Sequence, residues 1–320
     1  MSETEIYKEL AVPPATVVSE FAPVLIVSNI APQIGAWGTS FGAWGDMLCG
    51  LAYFRKRIGE GNIIYYGKNV GIPKFLAAQP FIGEVIHVVP KDTASYKHFI
   101  ERDVHMYQPE EAALLPMLEG TGFGVGDVVR THLEQNVLYA ETVELWEGGL
   151  LPGDVRAWAA RTAEGLPKRF YIVQPFSLNS NSYSNHWPGW GGLMNRLLAQ
   201  TAQRYVLVGH EVEDCLSKTG IGVRDRAKHP YLTDLTNECP SMMHLFALAS
   251  HAQGVITTSN SLAHWCQNQG LPCVVLCNST SSRPDYFFRK VLNTPTLKVL
   301  HRDATVDDAM ESIFLHLLPI

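Results

Sequence analysis

Residues 232–280 read LTDLTNECPSMMHLFALASHAQGVITTSNSLAHWCQNQGLPCVVLCNST, and the rest of the chain can be understood outward from them. Apolar residues recur first at helical spacing and then in short unbroken runs, which predicts helices alternating with buried strands. Ser241 is placed to cap the first helix, and Gly270 ends the second. The predicted elements are a helix over 241–252, a strand over 254–258, a helix over 262–269 and a strand over 273–277.

The turn between the strand at 254–258 and the next helix is made of small polar residues, Ser259, Asn260 and Ser261. A helix that starts there has unpaired N–H groups and the positive end of its dipole at the turn, which suits an anion such as phosphate. Ligands of open α/β sheets bind at this end of the strands. A well-capped strand–turn–helix unit that binds nothing explains the same pattern, and both interpretations stay open.

The bulk composition is that of an ordinary globular protein. The chain has 320 residues, 46% of them hydrophobic and 18% charged, and this length favours two domains. Its net charge of −6 argues against broad binding to a nucleic-acid backbone, because such binding needs a basic face. The composition therefore gives no strong nucleic-acid signal.

The six cysteines form no CxxC pair, and most lie in apolar runs, so buried reduced thiols are expected. The first twenty residues lack the pattern of a secretory signal, and no apolar run reaches the length of a transmembrane segment. We therefore expect a cytoplasmic protein, at most peripheral to the inner face of a membrane.

The first half of the chain predicts one α/β domain over 21–150, after a loose arm over 1–20. Its first strand runs into a glycine-rich stretch at 35–50 and then a helix, which is how a Rossmann-like half begins. There is no GxGxxG fingerprint for a dinucleotide. Strands are predicted at 24–28, 62–66 and 84–89, with helices at 47–57 and 73–78.

Glycines and a proline near 148–153 mark a boundary, followed by a linker over 151–167 that contains a predicted helix at 154–164. A second Rossmann-like domain is predicted over 168–320. Besides the four elements above, it should contain strands at 169–173, 205–209 and 297–300, a helix at 191–203, and a closing helix from Thr305 to 318 with Asp308 completing its cap.

Several of these motifs resemble glycosyltransferase family 9, the ADP-heptose:lipopolysaccharide heptosyltransferases. Gly45-Asp46 matches the family's Gly-Asp at its first helix, and Trp187-Pro188 matches its Trp-Pro. His264 and Gly270-Leu271-Pro272 match the His and Gly-x-Pro of the family's Asp-Ser-Gly-x-x-His turn, although the triplet itself is Ser259-Asn260-Ser261 here. The resemblance implies a GT-B fold, in which two Rossmann-like domains face each other across a cleft.

The resemblance also implies roles for individual residues. Asp46 would be the general base for the acceptor hydroxyl, although an aspartate at a helix start is also explained as a cap. Glu211 and Glu213 are candidates for binding the nucleotide ribose, and Thr233, in a loop ahead of the next helix, would lie near the base. The remaining donor-binding candidates are Ser177, Asn179, Ser182, His186, Ser259, Asn260, Ser261 and His264.

The loop over 177–186 lacks the basic residue that neutralises the donor diphosphate in the family. Its hydroxyl and amide groups can hydrogen-bond phosphate without bringing charge. The charge of the diphosphate would then be balanced by a helix dipole or by an arginine from elsewhere, such as Arg283. Otherwise the donor would bind weakly. A plain surface loop is the alternative.

The function implied is metal-independent transfer of a sugar from a nucleotide-sugar donor to an acceptor hydroxyl on a glycan such as lipopolysaccharide. No cofactor is expected, since the nucleotide-sugar is itself the substrate. Two alternatives remain: the same chemistry on a protein or a modified DNA base, and a non-catalytic nucleotide-sugar-binding protein, which the altered donor motifs favour.

Overall fold

The computed structural model describes residues 23–27, 44, 48, 61–66, 71–88, 129–130, 151–175, 187–209, 229–258, 260–277, 296–301 and 303–318. The chain divides into two compact units, Met1–Leu138 and Tyr139–Ile320. The domain ranges and the loose arm read from the sequence stay predictions. Within the described ranges, no helix has both the length and the apolar character needed to cross a membrane.

The first unit contains a four-stranded parallel sheet. Its elements are strands β1 (Pro23–Val27), β2 (Gly61–Tyr66), β3 (Ile82–Val88) and β4 (Val129–Arg130) and helix α1 (Gly71–Ala77). The strand order is β3-β2-β1-β4. The first three strands confirm the prediction, whereas β4 was not predicted, because two residues are too short to show a periodicity.

Helix α1 packs its apolar face inward, with Ile72, Phe75 and Leu76 fully buried. Trp44, from the glycine-rich stretch, is also buried and meets Phe75 edge to face, with the ring centroids 5.5 Å apart. The glycine-rich stretch contains the sequence GAWG twice, at 35–38 and 42–45. The tryptophan of the second copy, Trp44, is part of this unit's core, and that of the first lies outside the described residues.

The second unit is built on a six-stranded parallel sheet. Its strands are β5 (Tyr171–Gln174), β6 (Tyr205–Leu207), β7 (Leu232–Asp234), β8 (Gly254–Thr258), β9 (Cys273–Leu276) and β10 (Leu297–Leu300). They lie in the order β10-β9-β8-β5-β6-β7. Counted from the unit's first strand this is 6-5-4-1-2-3, the order of nucleotide-binding Rossmann folds.

Five helices accompany this sheet in the described part of the chain. They are α2 (Gly153–Glu164), α3 (Trp190–Gln200), α4 (Met242–Ala249), α5 (Ser261–Gln269) and α6 (Val306–His316). Helices α3 and α4 end three residues earlier than predicted. Gly270 has a left-handed backbone with φ of 63° and ends α5 as predicted, because glycine adopts this conformation without a Cβ penalty.

Strand β7 corrects one prediction. Thr233 was expected in a loop, but it lies within this short strand and pairs in register with Val206 of β6. The flanking residues lack a long apolar run, so the sequence does not distinguish an edge strand from a loop; pairing with β6 decides it.

Two tryptophan side chains, Trp187 and Trp190, anchor the start of α3. Both are buried and meet edge to face, with centroids 6.1 Å apart. Trp187 Nε1 donates to the carbonyl oxygen of Ala304, at 3.1 Å, which ties this turn to the segment before α6. A Cβ at Gly189 would collide with the Trp187 ring. These rings therefore belong to the core rather than to a sugar-stacking surface.

Helix α2, predicted inside a linker, packs on α4 of the second unit. Trp158 meets His244 edge to face, with ring centroids 5.0 Å apart. Ser241 occupies the N-cap position of α4 as predicted, but its hydroxyl contacts His244 Nδ1 at 2.7 Å and makes no capping bond to the backbone.

Candidate functional site

The candidate site lies where β5 and β8 end side by side in the second sheet. From β5 the chain continues to β6 and β7 on one side, and β8 leads to β9 and β10 on the other. The connections of these two strands therefore run in opposite directions, which opens a crevice at the carboxyl ends of the strands. In open α/β sheets this switch point is where ligands bind.

Gln174 is the last residue of β5 and was not among the predicted site residues. Its side chain is only 5% exposed, and it pairs in register with the fully buried Thr257 of β8. Thr257 Oγ1 lies 3.3 Å from the Gln174 carbonyl oxygen and 3.2 Å from Gln174 Oε1. The two strand ends are thus joined through side chains as well as through the sheet.

Asn260, one of the three small polar residues of the predicted turn, is the N-cap of α5. Its Oδ1 accepts from the backbone nitrogens of Leu262, at 2.9 Å, and Ala263, at 3.3 Å. Its Nδ2 donates to Gln174 Oε1, at 2.9 Å, and to Thr257 Oγ1, at 3.0 Å. Two acceptor positions and two donor hydrogens are all that a primary amide offers. The Asn260 side chain is therefore fully used in joining α5 to β5 and β8.

Ser261 is the first residue of α5 and is half-buried. Since Asn260 already occupies two of the helix's first N–H groups, an anion here would meet the remaining N–H groups, the Ser261 hydroxyl and the helix dipole.

His264 lies one turn further along α5 and is 7% exposed. Burial disfavours the imidazolium and lowers the pKa of His264 from 6.5 to about 4. At neutral pH this side chain is therefore an uncharged imidazole, which can donate one hydrogen bond and accept another but cannot neutralise a diphosphate.

Thr233 is not brought to this point. It lies on β7, two strands from β5 and three from β8. At the usual spacing between strands it is about 10 Å from β5 and about 14 Å from β8. Among the predicted donor-binding residues, the described structure brings together Asn260, Ser261 and His264, and Thr233 lies toward the sheet edge.

The other predicted site residues lie outside the described residues, and their roles stay predictions. They are Asp46, Ser177, Asn179, Ser182, His186, Glu211, Glu213 and Ser259. The same holds for Arg283 as a source of positive charge.

Charge is scarce in the described part of this sheet end. Gln174, Thr257, Asn260 and Ser261 carry none, and the lowered pKa of His264 keeps its ring neutral at pH 7. The site offers hydrogen-bond donors and a helix dipole, a combination that binds the oxygen atoms of phosphate or hydroxyl groups. Across the described ranges, no group of three or more His, Cys, Asp or Glu residues could hold a metal ion. A metal-independent reaction stays a prediction.

Solved glycosyltransferases have the same fold. A glycosyl transferase family 9 protein from Veillonella parvula is 12% identical with a TM-score of 0.61, covering 93% of this chain and 97% of its own. The E. coli ADP-heptose lipopolysaccharide heptosyltransferase II is 12% identical with a TM-score of 0.55, covering 92% and 98%. E. coli heptosyltransferase WaaC with ADP is 13% identical with a TM-score of 0.51, covering 91% and 98%.

No family model and no curated protein matches the chain. The structural likeness therefore establishes the fold. It is the fold of GT-B glycosyltransferases, and the predicted resemblance to the heptosyltransferases of family 9 is confirmed at that level.

Proposed function

We propose that the protein is a glycosyltransferase that moves a sugar from a nucleotide-sugar donor to an acceptor hydroxyl. The observation that carries this proposal is the likeness of the fold to three glycosyltransferases over more than nine-tenths of the chain. The switch-point crevice in the second unit supports it, because that is where such a fold binds a nucleotide. ADP-sugars are the first donors to test, since one of the three structures holds ADP.

In the proposed reaction the acceptor oxygen attacks the anomeric carbon of the donor sugar. Asp46 takes the hydroxyl proton as general base. The bond from the anomeric carbon to the diphosphate oxygen breaks, and the nucleoside diphosphate leaves with that electron pair. The catalytic need is therefore to stabilise negative charge on the departing oxygen. No metal is required in this scheme.

The residues proposed to hold the donor all belong to the second unit. The N-terminus of α5, with Ser261 and Ser259, would receive the diphosphate. The ribose hydroxyls would bind Glu211 or Glu213, since a carboxylate accepts from two neighbouring hydroxyls. Further polar groups for the donor are proposed from Ser177, Asn179, Ser182, His186, Thr233 and His264.

The acceptor class proposed first is a glycan such as lipopolysaccharide, and the enzyme would act as a heptosyltransferase-like protein. A protein or a modified DNA base would present the same reacting hydroxyl. The net charge of −6 weighs against DNA, because backbone binding needs positive charge.

One observation favours a second function, a non-catalytic nucleotide-sugar binder. The described strand ends and helix start provide no formal charge for the leaving diphosphate, and His264 is neutral at pH 7. Such a site can bind a diphosphate by hydrogen bonds yet stabilise its departure poorly.

The test begins with a thermal-shift screen of ADP-, GDP-, UDP- and TDP-sugars and the free nucleotides. A ligand at about 100 times its Kd should add about 2.7 kcal/mol to the free energy of unfolding. Asp46→Ala then separates enzyme from binder: transfer should fall roughly 100-fold or more while donor binding persists. Unchanged transfer in Asp46→Ala would remove Asp46 from the mechanism, and binding without transfer in the wild-type protein would favour the binder.

A further inference from the structure

We propose that Gln174 is a ligand-binding residue of this site, whose side-chain NH₂ group donates to an oxygen of the donor's diphosphate at the N-terminus of α5. The inference rests on the proposed function for the identity of the ligand. Its own support comes from the hydrogen-bond network described above, in which Gln174 is the member with donors left over.

The orientation of the Gln174 amide follows from the backbone of α5. Backbone N–H groups only donate, so the Asn260 atom that receives those of Leu262 and Ala263 must be Oδ1. The other amide atom of Asn260 is then Nδ2, which also only donates. The Gln174 atom 2.9 Å from it must therefore be the acceptor, Oε1. Thus the backbone of α5, acting through Asn260, fixes which way the Gln174 amide faces.

This orientation leaves the Gln174 Nε2 hydrogens unassigned. No group among the described residues accepts a hydrogen bond from Gln174 Nε2, although the side chain is nineteen-twentieths buried. Nε2 itself is not among the fully enclosed donors without a partner, so it keeps some accessible surface, from which it can donate to a ligand oxygen. The amide lies at hydrogen-bond distance from the N-cap of α5, which places its donors at the positive end of that helix.

The unpaired Gln174 Nε2 donor and the N-terminus of α5 favour the same kind of ligand. An amide nitrogen cannot accept a hydrogen bond or bind a cation, and a helix N-terminus repels cations. An anionic oxygen satisfies both, and the diphosphate of a nucleoside diphosphate supplies it. A neutral donor also suits a buried strand end, because a lysine there would lose its hydration unless it was permanently paired.

The main test replaces Gln174 with Met, which keeps the length of the side chain and removes its hydrogen bonds. Calorimetric titration should show roughly 10- to 100-fold weaker binding of ADP, GDP, UDP or TDP, whichever the wild-type protein binds. Binding of the corresponding nucleoside, which has no phosphate, should not change. The matched control is Gln267→Met, since Gln267 is also a buried glutamine but lies near the other end of α5.

A second variant keeps the contact to Asn260. In Gln174→Glu one carboxylate oxygen still accepts from Asn260 Nδ2, and the other faces the ligand as an acceptor. Nucleoside diphosphate binding, relative to wild type, should be lost at pH 8 and recover toward pH 5, because a protonated carboxyl regains an O–H donor. The titratable side chains of α5 do not change charge over this range, because His264 stays neutral with its pKa of about 4 and burial raises the pKa of Cys266 above its ordinary value. The described groups around Gln174 do not titrate. A purely structural role for Gln174 would not produce this recovery.

The outcomes separate this inference from the proposed function. Equal nucleoside diphosphate binding by wild type and Gln174→Met, or equal losses for nucleoside and nucleoside diphosphate, would overturn the role of Gln174 and leave the proposed function standing. If wild type binds none of the four nucleotides, inorganic pyrophosphate followed by ³¹P NMR replaces them. Pyrophosphate binding that requires Gln174 would keep the anion site and overturn the nucleotide-sugar function, and its absence would overturn both.

Discussion

Helices α5 and α6 of the second unit both begin with a side chain that caps the backbone, and the two caps differ in what else they touch. At α6, Thr305 Oγ1 accepts from the Asp308 nitrogen at 3.1 Å, and Asp308 Oδ2 accepts from the nitrogen and the hydroxyl of Thr305, each at 2.7 Å. The pair is exposed to solvent and complete within four residues.

The cap of α5 reaches beyond its own turn. Asn260 holds the backbone of α5 and at the same time donates to Gln174, which lies 86 residues earlier in the chain, and to Thr257. The network is partly or fully buried and ends in an amide whose donor hydrogens face no acceptor in the described structure. The cap of α6 stabilises only its own helix. The cap of α5 also orients a side chain, Gln174, that we propose binds the ligand. The four predictions below compare these two helices, starting with the largest effect.

The largest effect concerns the buried imidazole of α5. His264 has a pKa of about 4 in the folded protein and an ordinary 6.5 when unfolded, so the unfolded chain takes up the proton first as the pH falls. Its contribution to stability is complete above pH 6.5 and is lost as the pH falls from 6.5 to 4, by roughly 3 kcal/mol. Urea unfolding from pH 7.5 to 4 measures this loss.

The variant His264→Gln lacks the titrating group, so its stability should depend less on pH across this window than that of wild type. His251→Gln is the matched control, because it replaces a histidine that is exposed just after α4. If the free energy of unfolding changes with pH in the same way for wild type and His264→Gln, the burial of His264 does not cause the loss of stability in mild acid.

The next effect is on binding. Asn260→Asp keeps an acceptor for the α5 backbone and puts a negative charge at a helix start, so the cap should hold. It removes the donor that orients Gln174, whose amide would turn toward the new carboxylate. Affinity for the nucleoside diphosphate should fall roughly 30-fold, or about 2 kcal/mol, by calorimetry. An unchanged affinity would show that Asn260 does not orient Gln174 for ligand binding.

The cap of α6 provides the contrasting variant. Thr305→Ala removes the acceptor for the Asp308 nitrogen and should lower the free energy of unfolding by about 1 kcal/mol, measured in urea. Nucleoside diphosphate affinity should remain that of wild type, since the side-chain hydrogen bonds of this cap, within the described part of the chain, stay inside its own turn. Comparable binding losses in Thr305→Ala and Asn260→Asp would mean that both variants act through general destabilisation.

The smallest effect is also at α6. Hydrogen bonds from the Thr305 hydroxyl and nitrogen lower the pKa of Asp308 below its ordinary 3.8. The stability contributed by this carboxylate is therefore present above pH 3.8 and is lost as the pH falls through the lower folded value. In Asp308→Asn this acid-dependent part should be missing, which acid unfolding followed by circular dichroism detects. Because the group is fully exposed, solvent screening keeps the difference small.

The elements of the second unit follow largely from local sequence. The strand at Gly254–Thr258 and the strand at Leu297–Leu300 were predicted with their observed bounds, and the Thr305–Asp308 cap was predicted with its partners. These features depend on residues within one strand or one helical turn, whose pattern is visible in a single chain segment. The short strands β4 and β7 exist through pairing with neighbours and left no such pattern.

In the candidate site, too, some features follow from local sequence and others only from the pairing of distant strands. The strand–turn–helix pattern by itself determined that small polar residues would start a helix at the carboxyl end of a buried strand, and the structure shows that Asn260 is the one that caps it. Only the tertiary structure decided that β5 lies beside β8, which brings Gln174 within 2.9 Å of Asn260 and orients its amide. Capping depends on residues two and three positions away, whereas the pairing of parallel strands depends on the burial of whole faces of the sheet, which no local stretch of sequence records.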